Sequence, residues 1–371
     1  MNVVFRVDSS VKMGIGHLMR CLTLANVIDE VIKSNIFFVC RKLPGNINEL
    51  VTSKGYGLIE LSFLETSQEY NETHVEYQCT YEDWLGSTSL KDAEETHEAI
   101  KEISIDWLIV DSYGIDHLWE EYLKPLVNKI MVIDDLANRH HVCDLLLDQN
   151  YSPNYLNRYN KLISDNCKAL LGPEYAILGK EFIDSKVLQK KHNEIPKILL
   201  FLSGSDETNL LCHHILEILF DAFKDNIAID VVVGNGQNNR LEIEHMVAEF
   251  NNASFYSALP HLGNLMSQAD IAIGSGGVTT WERMFMGLPS IVISLSDNQL
   301  PACIALSEDE YIYYLGHRDV FDKHEMLQTI LMLINKPDER DRISIRCQQL
   351  VDGRGAYKIV NAMLDNFVNE L

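Results

Sequence analysis

A histidine flanked by glycines carries the first sign of chemistry in this chain. His17 follows Gly14 and Gly16 and precedes Arg20, just after an apolar run and at the start of a predicted helix. Glycines let the backbone approach a ligand, and the first N–H groups of a helix can bind an anion. Imidazole titrates near neutrality, so His17 can take a proton from water or a sugar hydroxyl. The alternative is a histidine that only caps its own helix, but the glycines and Arg20 favour catalysis.

The same loop argues against a dinucleotide cofactor. A dinucleotide fingerprint needs a third glycine where this chain has Met19, and it needs an acidic residue at the end of the second strand. That strand ends in Val39-Cys40-Arg41 instead, and the chain has no P-loop signature. The sequence therefore predicts neither a nicotinamide nor a flavin, and we expect no cofactor.

A second glycine loop, from Gly274 to Arg283, precedes another predicted helix. Gly276 and Gly277 open space for a ligand, and the Thr279 hydroxyl with the N–H groups that follow can face a diphosphate. Glu282 lies one turn later on the same face, where its carboxylate can accept both hydroxyls of a ribose. The alternative is a capping box formed by Thr279 and Glu282.

Two further turns follow predicted strands at the same sheet edge, where ligands of open parallel sheets bind. Asn298 and Gln299, in the segment Ser296-Asp297-Asn298-Gln299, can donate to phosphate, sugar or uracil oxygens, or can cap the next helix. The turn from Leu202 to Asp206 is a further candidate for facing a phosphate.

Weaker signals lie in the first half of the chain. The spacings between Asp134 and Asp144 match no familiar zinc site, and no Asp-x-Asp triplet is present to hold a metal-bound diphosphate. We therefore expect no metal, and we interpret Arg139 with a nearby aspartate as a structural or substrate-contacting ion pair. Tyr81, with Tyr77 and Trp84, either lines a sugar pocket or belongs to the core.

Short continuous apolar runs alternate with helical patterns, which predicts an α/β fold with two doubly wound parallel sheets that face a cleft. The predicted strands are Asn2–Val7, Ile36–Cys40, Trp107–Asp111, Ile130–Ile133, Leu145–Leu147, Lys197–Leu202, Ala228–Val233, Ala253–Tyr256, Ile271–Ile273 and Ser290–Leu295. The predicted helices are His17–Lys33, His97–Ile103, Leu210–Phe223, Asn239–Phe250, Thr279–Met286 and Gln299–Leu306. A polar segment ending before Pro196 predicts domains at 1–188 and 189–356. Residues 357–371 form a C-terminal helix that can pack on the first domain.

The composition limits the partners. The chain has 371 residues and a formal net charge of −23, which disfavours binding to nucleic acid or to anionic membranes. No apolar run approaches the roughly 20 residues of a membrane span, and the N-terminus does not resemble a signal peptide. The eight cysteines are scattered without a Cys-x-x-Cys pair, which indicates reduced core thiols and a cytoplasmic protein. The sequence does not fix the oligomeric state, although we expect a monomer.

Taken together, the His17 loop and the region from Gly276 to Asn298 resemble the UDP-sugar hydrolases of bacterial pseudaminic acid biosynthesis, which have the two-domain glycosyltransferase-B fold. The matching stretches are VDSSVKMGIGHLMRC, WLIVDSYGID, MVIDDLANRHHVCDLLLDQN, LLGPEYAIL, FLSGSDETN, IAIGSGGVTTWERMFMGLPSIVI and DNQ. They keep a consistent order from Met1 to about Gln299. The chain departs from the family at Val278, where a small hydroxyl residue is common, and at Leu202-Ser203-Gly204, which has fewer glycines.

The resemblance implies that His17 is the catalytic base, that Glu282 binds the nucleotide and that Asn298 contacts the nucleotide sugar. It implies UDP-2,4-diacetamido-2,4,6-trideoxy-β-L-altropyranose as substrate, and water attack at the anomeric carbon with inversion. Because UDP is a good leaving group, a divalent metal becomes dispensable.

Three rival interpretations stay open. The first is a glycosyltransferase of the same fold that uses a sugar or lipid acceptor. The second is a noncatalytic protein that binds nucleotide sugars. The third is a homologue of spore-coat polysaccharide proteins with a different choice of sugar.

Overall fold

The computed structural model describes residues 1–63, 81–186, 195–202, 209–224, 226–234, 240–257, 259 and 261–368. These residues form two parallel sheets, each with helices between successive strands. The first sheet has seven strands in the order β3-β2-β1-β4-β5-β6-β7, and the second has six in the order β10-β9-β8-β11-β12-β13. Each order reverses once, between β1 and β4 in the first sheet and between β8 and β11 in the second. Ligands of such sheets bind beyond the carboxyl ends of the strands at these switch points.

The secondary structure alternates regularly along the chain. The strands are β1 Asn2–Val7, β2 Asn35–Arg41, β3 Gly57–Leu61, β4 Ile105–Asp111, β5 Val127–Ile133, β6 Leu145–Asp148, β7 Lys168–Leu171, β8 Lys197–Phe201, β9 Ala228–Val233, β10 Ala253–Ser257, β11 Ile271–Ser275, β12 Ser290–Ser294 and β13 Tyr313–His317. The helices are α1 Gly16–Ile32, α2 Glu49–Ser53, α3 Glu82–Leu85, α4 Ser89–Ile100, α5 His117–Leu123, α6 Lys180–Lys186, α7 Asn209–Phe223, α8 Arg240–Ala248, α9 Gly263–Gln268, α10 Thr279–Met286, α11 Leu300–Glu308, α12 Lys323–Asn335, α13 Pro337–Leu350 and α14 Gly355–Val368.

The central strands are apolar on both faces because helices cover both sides of each sheet. In β1, Val3 and Phe5 contribute to one buried cluster, whereas Val4 belongs to a second cluster on the opposite face. Burial on both sides removes any alternation of apolar and polar residues, which explains the continuous apolar runs in the sequence.

The chain divides into two compact units. Unit 1 comprises Met1–Asn150, Asn154–Ile177 and Ala356–Leu371, and unit 2 comprises Tyr151–Pro153 and Leu178–Gly355. The division falls before α6 because that helix packs against α9 and α10 of unit 2, whereas the sequence prediction placed the boundary at residues 188 and 189, outside the described residues. Helix α14 packs in unit 1, where Ile359, Val360 and Met363 join the core cluster of β1.

The predicted α/β fold with two parallel sheets is confirmed, with corrections to single elements. The sequence prediction missed the edge strands β3, β7 and β13. The predicted helix His97–Ile103 is wrong in its bounds, because α4 already begins at Ser89, where the Thr88 side chain accepts a hydrogen bond from the Lys91 N–H at 3.3 Å. Among the helices of the described residues, none combines the length and the apolar composition of a membrane span.

A buried ion network holds the first sheet to α4. Asp92, fully buried on α4, accepts hydrogen bonds from Arg6 of β1, from Arg41 of β2 at 2.7 Å and from the Trp119 indole at 3.0 Å. The pKa of the Asp92 carboxyl is lowered: burial opposes this, but the two guanidinium groups outweigh burial. The carboxylate therefore stays ionised and shares the charge of the two guanidinium groups with Asp8, which pairs with Arg6, and Glu95, which pairs with Arg41.

Candidate functional site

In unit 1, a histidine and an aspartate meet at the switch point of the first sheet. The loop after β1 brings His17, the second residue of α1, to the carboxyl end of β4. There the His17 Nδ1 lies 2.6 Å from Oδ1 of Asp111, the last residue of β4. Asp111 is fully buried and His17 is 9% exposed. The ring nitrogen Nε2 makes no hydrogen bond to any described residue, so this nitrogen is available to a ligand.

Arg20, one turn after His17, donates two hydrogen bonds to the Asp111 carboxylate. Its Nε donates to Asp111 Oδ2 and its Nη2 to Oδ1, both at 2.6 Å, while Nη1 lies 3.3 Å from Asp135. Although burial would raise it, the pKa of Asp111 is held below its usual range by Arg20 and His17. An ionised Asp111 must receive the Nδ1–H of His17, which leaves Nε2 as the basic nitrogen. Arg20 therefore acts on the carboxylate that orients His17, and its predicted contact with substrate stays a prediction.

Aromatic rings continue the site away from His17. The Tyr113 ring meets the imidazole edge to face, with ring centres 4.8 Å apart. Tyr81 and Trp84 pack on Tyr113 at 5.0 and 5.7 Å. The predicted residue Tyr81 thus belongs to a cluster that reaches the histidine through Tyr113, whereas Tyr77 lies outside the described residues.

The two predicted glycines before His17 shape the start of α1. Gly14 has a φ of +79° and forms an isolated bridge with Ser10, so the loop closes in a conformation that favours glycine. Gly16 is the first residue of α1, which has no side-chain cap. The helix therefore begins with N–H groups that no side chain in the described part of the chain satisfies.

In unit 2, the second glycine loop forms the corresponding feature. It joins β11 to α10, whose first residue is Thr279 and whose N-cap residue, Val278, makes no side-chain cap. The capping-box alternative is wrong, because neither Thr279 nor Glu282 bonds a backbone N–H of the helix start. The N–H groups of Gly277, Val278 and Thr279 find no acceptor among the described residues. Three such donors at a helix N-terminus suit an anion.

Gly276 is required by packing. A Cβ on this residue would overlap the Sγ of Cys303 on α11 and would lie 3.3 Å from the Gln299 Cβ. A Cβ on Gly277 would contact only the Gln299 and Ser275 side chains, at 3.8 Å. The loop therefore packs tightly on α11 at Gly276, whereas Gly277 has room for a Cβ at ordinary contact distance.

Glu282 is a candidate to accept hydrogen bonds from a ligand. It is partly exposed and forms no hydrogen bond within the described residues. Burial of its carboxyl raises its pKa to about 7, Arg283 opposes the change, and Glu181 of α6 adds to it. Hydroxyl donors from a ligand would stabilise the ionised form.

Gln299 and Asn298 follow β12 in a single 3-10 turn, Asp297–Gln299. Gln299 Oε1 accepts the Leu295 N–H at 3.0 Å, which leaves its amide nitrogen toward the glycine loop near Gly277. Asn298 is exposed, and its oxygen accepts from Ser296 at 2.5 Å. Neither side chain caps α11, so the capping alternative is wrong here also.

Arg139 is committed to the protein. It donates to the carbonyl oxygens of Ile115 and Ser112 at 2.7 and 3.0 Å and pairs with Asp134 at 2.8 Å. This supports the structural interpretation of the ion pair, and a substrate contact stays a prediction. Within the ranges that the structure describes, no three His, Cys, Asp or Glu side chains are grouped to hold a metal.

Sequence reasoning missed Asp111, Tyr113 and Arg283. The signal for Asp111 was present: a carboxylate closes the apolar run IDWLIVD at the carboxyl end of a central strand. The predicted phosphate turn from Leu202 to Asp206 lies outside the described residues except for Leu202.

Comparison with known proteins places these features in context. The C-terminal domain of glycosyltransferase family 28 matches residues 198–302. An uncharacterised protein of Methanocaldococcus jannaschii, MJ1062, is 27% identical over 81% of this chain and 57% of its own length. The chain thus spans little more than half of that relative. The UDP-2,4-diacetamido-2,4,6-trideoxy-β-L-altropyranose hydrolase of Campylobacter jejuni is 26% identical over 84% of this chain and 98% of its own length.

Solved structures share the fold. MurG of Acinetobacter baumannii superposes with a TM-score of 0.65 at 11% sequence identity, over 98% of this chain and 99% of that chain. With the family 28 match and the two Rossmann-like sheets, this confirms the predicted glycosyltransferase-B type of fold.

Proposed function

We propose that this chain hydrolyses a UDP-sugar to UDP and the free sugar, with UDP-2,4-diacetamido-2,4,6-trideoxy-β-L-altropyranose as substrate. The observation that carries the proposal is the 2.6 Å contact between His17 Nδ1 and Asp111, which leaves Nε2 as a base. The similarity to the Campylobacter hydrolase, which extends over nearly that whole protein, supports the choice of reaction and sugar.

In the proposed reaction, His17 Nε2 takes a proton from water as the water oxygen bonds to the anomeric carbon. The bond from that carbon to the diphosphate oxygen breaks, UDP leaves with the electron pair, and the configuration inverts. Asp111 keeps the imidazole in the required tautomer and stabilises the imidazolium that forms.

The second glycine loop is assigned to the nucleotide. The free N–H groups from Gly277 to Thr279 bind the diphosphate, where the positive end of α10 stabilises its growing negative charge. Glu282 accepts the ribose hydroxyls, and Asn298 and Gln299 contact the nucleotide sugar. UDP is already a good leaving group, so the proposal includes neither a metal nor a cofactor. A cytoplasmic monomer is part of the same proposal.

Turnover in oxygen-18 water, followed by mass spectrometry, tests the reaction. Label in the free sugar supports attack at carbon, whereas label in UDP would refute the proposed step. His17→Ala should lower kcat by about 10³-fold or more and leave UDP affinity within twofold. His324→Ala, at an exposed histidine of α12, is the matched control and should match wild type. Comparable activity in the His17 variant would defeat the assignment of the base.

The family 28 match favours a second candidate, transfer of the sugar to an acceptor hydroxyl. The same base would serve, because water and a hydroxyl both lose a proton during attack. The two reactions differ in their need for an acceptor: a hydrolase releases UDP from the UDP-sugar alone, whereas a transferase needs the acceptor. Absence of UDP release from any UDP-sugar, with or without acceptor, would indicate a binding protein.

A further inference from the structure

Arg283 is a buried cation beneath the second glycine loop, and the proposed reaction has not used it. It lies on α10 and is 2% exposed. No carboxylate lies within ion-pair distance of it among the described residues. Burial lowers its pKa to about 10, a change that Glu282 opposes, so the group is still charged at neutral pH.

The guanidinium ties together the three elements that surround the loop. Its Nη2 donates to the Ser275 carbonyl at 2.7 Å and to the Thr280 hydroxyl at 3.1 Å, and its Nε donates to the Ser290 hydroxyl at 3.2 Å. Its Nη1 donates to the Thr279 hydroxyl oxygen at 3.0 Å. One side chain thus fixes the end of β11, the first turn of α10 and the start of β12.

The contact with Arg283 determines whether the Thr279 hydroxyl donates or accepts a hydrogen bond toward a ligand. A hydroxyl has one proton to donate, and a guanidinium has no lone pair to accept it. Because the Thr279 oxygen accepts from Arg283, its proton is available to another acceptor. Thr279 is partly exposed, and its hydroxyl donates to no described residue. Its hydroxyl therefore joins the free N–H groups as a donor directed to a ligand.

The space for this arrangement is made by Gly274. A Cβ there would lie 2.6 Å from Arg283 Nη1 and 3.0 Å from the Phe201 carbonyl oxygen. Any larger residue would push the guanidinium away from Thr279. The glycine thus serves the arginine beneath the loop as well as the backbone itself.

We propose that Arg283 is a positioning residue for a bound diphosphate. Its guanidinium holds the Thr279 hydroxyl as a donor and supplies positive charge below the loop. The inference rests on the proposed function, because that function assigns a diphosphate to this loop. The anionic ligand supplies the counter-charge that none of the described residues offers to Arg283.

A double-mutant cycle tests this coupling, with UDP affinity measured by calorimetry and uridine affinity by NMR titration. Thr279→Val should weaken UDP by ~10-fold and Arg283→Met by ~30-fold or more, as expected for hydrogen bonds to a charged group. The double variant should bind UDP within about twofold of Arg283→Met, because the threonine acts through the arginine. Uridine, which lacks the diphosphate, should bind each variant within twofold of wild type. The inference would be overturned if the fold-losses of UDP affinity in the two single variants multiplied in the double variant. It would also be overturned if uridine affinity fell as much as UDP affinity.

Controls separate positioning from folding. Ser290→Ala removes a guanidinium contact on the other side from Thr279 and should leave UDP affinity within twofold. Where Arg283→Met does not fold, Arg283→Lys takes its place: it keeps the charge, cannot reach every acceptor of the fork and should weaken UDP by ~5-fold. A lysine variant that binds UDP like wild type would overturn this inference and leave the proposed function standing. A wild-type protein that does not bind UDP would overturn the proposed function and this inference with it.

Discussion

Glu282→Gln should make the protein more stable while it weakens nucleotide binding. Glutamine keeps the shape of glutamate and removes the charge. The folded protein raises the pKa of this carboxyl from the usual 4.5 to about 7 because burial disfavours the ionised form. At 1.36 kcal/mol per pKa unit, ionising Glu282 in the folded state costs about 3 kcal/mol, an upper limit for a partly exposed group.

The sign follows from proton binding. Between the unfolded pKa near 4.5 and the folded pKa near 7, the folded state holds the proton more tightly, so wild-type stability falls as pH rises through this window. The glutamine variant lacks this loss. About 2 kcal/mol of the difference between variant and wild type should therefore develop between pH 5.5 and pH 8.5. The lower limit stays above the isoelectric point of 4.9 to keep the protein in solution.

Scanning calorimetry of both proteins at the two pH values measures the effect. The melting temperature of the variant should exceed that of wild type by ~5 °C or more at pH 8.5 and by clearly less at pH 5.5. Glu242→Gln, at an exposed glutamate of α8, is the control and should show no pH-dependent difference. Calorimetric titration with UDP at pH 8.5 should show ~10-fold weaker binding for the Glu282 variant. A variant that is no more stable than wild type at pH 8.5 would refute the reasoning from burial.

Three further predictions concern other parts of the molecule. Asp111→Asn should lower kcat by ~10²- to 10⁴-fold with UDP affinity unchanged, because the imidazole loses its fixed tautomer. Steady-state kinetics measure the effect, and a variant with the kcat of wild type would contradict a catalytic pair. Asp92→Asn should lower the free energy of unfolding by about 3 kcal/mol, measured by denaturant titration, because two buried guanidinium groups lose a shared counter-charge; an unchanged midpoint would show that their other partners suffice. Gly276→Ala should weaken UDP by ~10-fold in calorimetric titration because the new Cβ overlaps Cys303, and adding Cys303→Ala should restore much of the affinity. A double variant as weak as the single one would locate the effect elsewhere.

The central strands were predictable from the sequence because burial on both faces leaves an unbroken apolar run. Strand β1 was predicted with the bounds that the structure has. Strands β3 and β13 are partly exposed edge strands, and β7 has only four residues, two of them exposed. Their mixed composition does not differ from that of a loop, so only pairing with a neighbouring strand defines them.

The glycine loops were predictable because their spacing after a strand is a local property. The partner of His17 was not, since Asp111 lies 94 residues away and reaches it only when β1 and β4 lie side by side. The role of Arg283 was hidden for a similar reason: its contacts with Ser275 and Ser290 depend on how α10 lies against β11 and β12. Local patterns thus indicated where a ligand would bind, and the supporting contacts required the fold.

The return of α14 to unit 1 has a consequence for biosynthesis. Unit 2 is made almost entirely from one continuous stretch, whereas the core of unit 1 includes Ile359, Val360 and Met363. On the ribosome, the apolar face of unit 1 beside α1 therefore stays uncovered until α14 has emerged. Unit 2 ends at Gly355 and uses none of these residues, so its fold does not depend on the docking of α14.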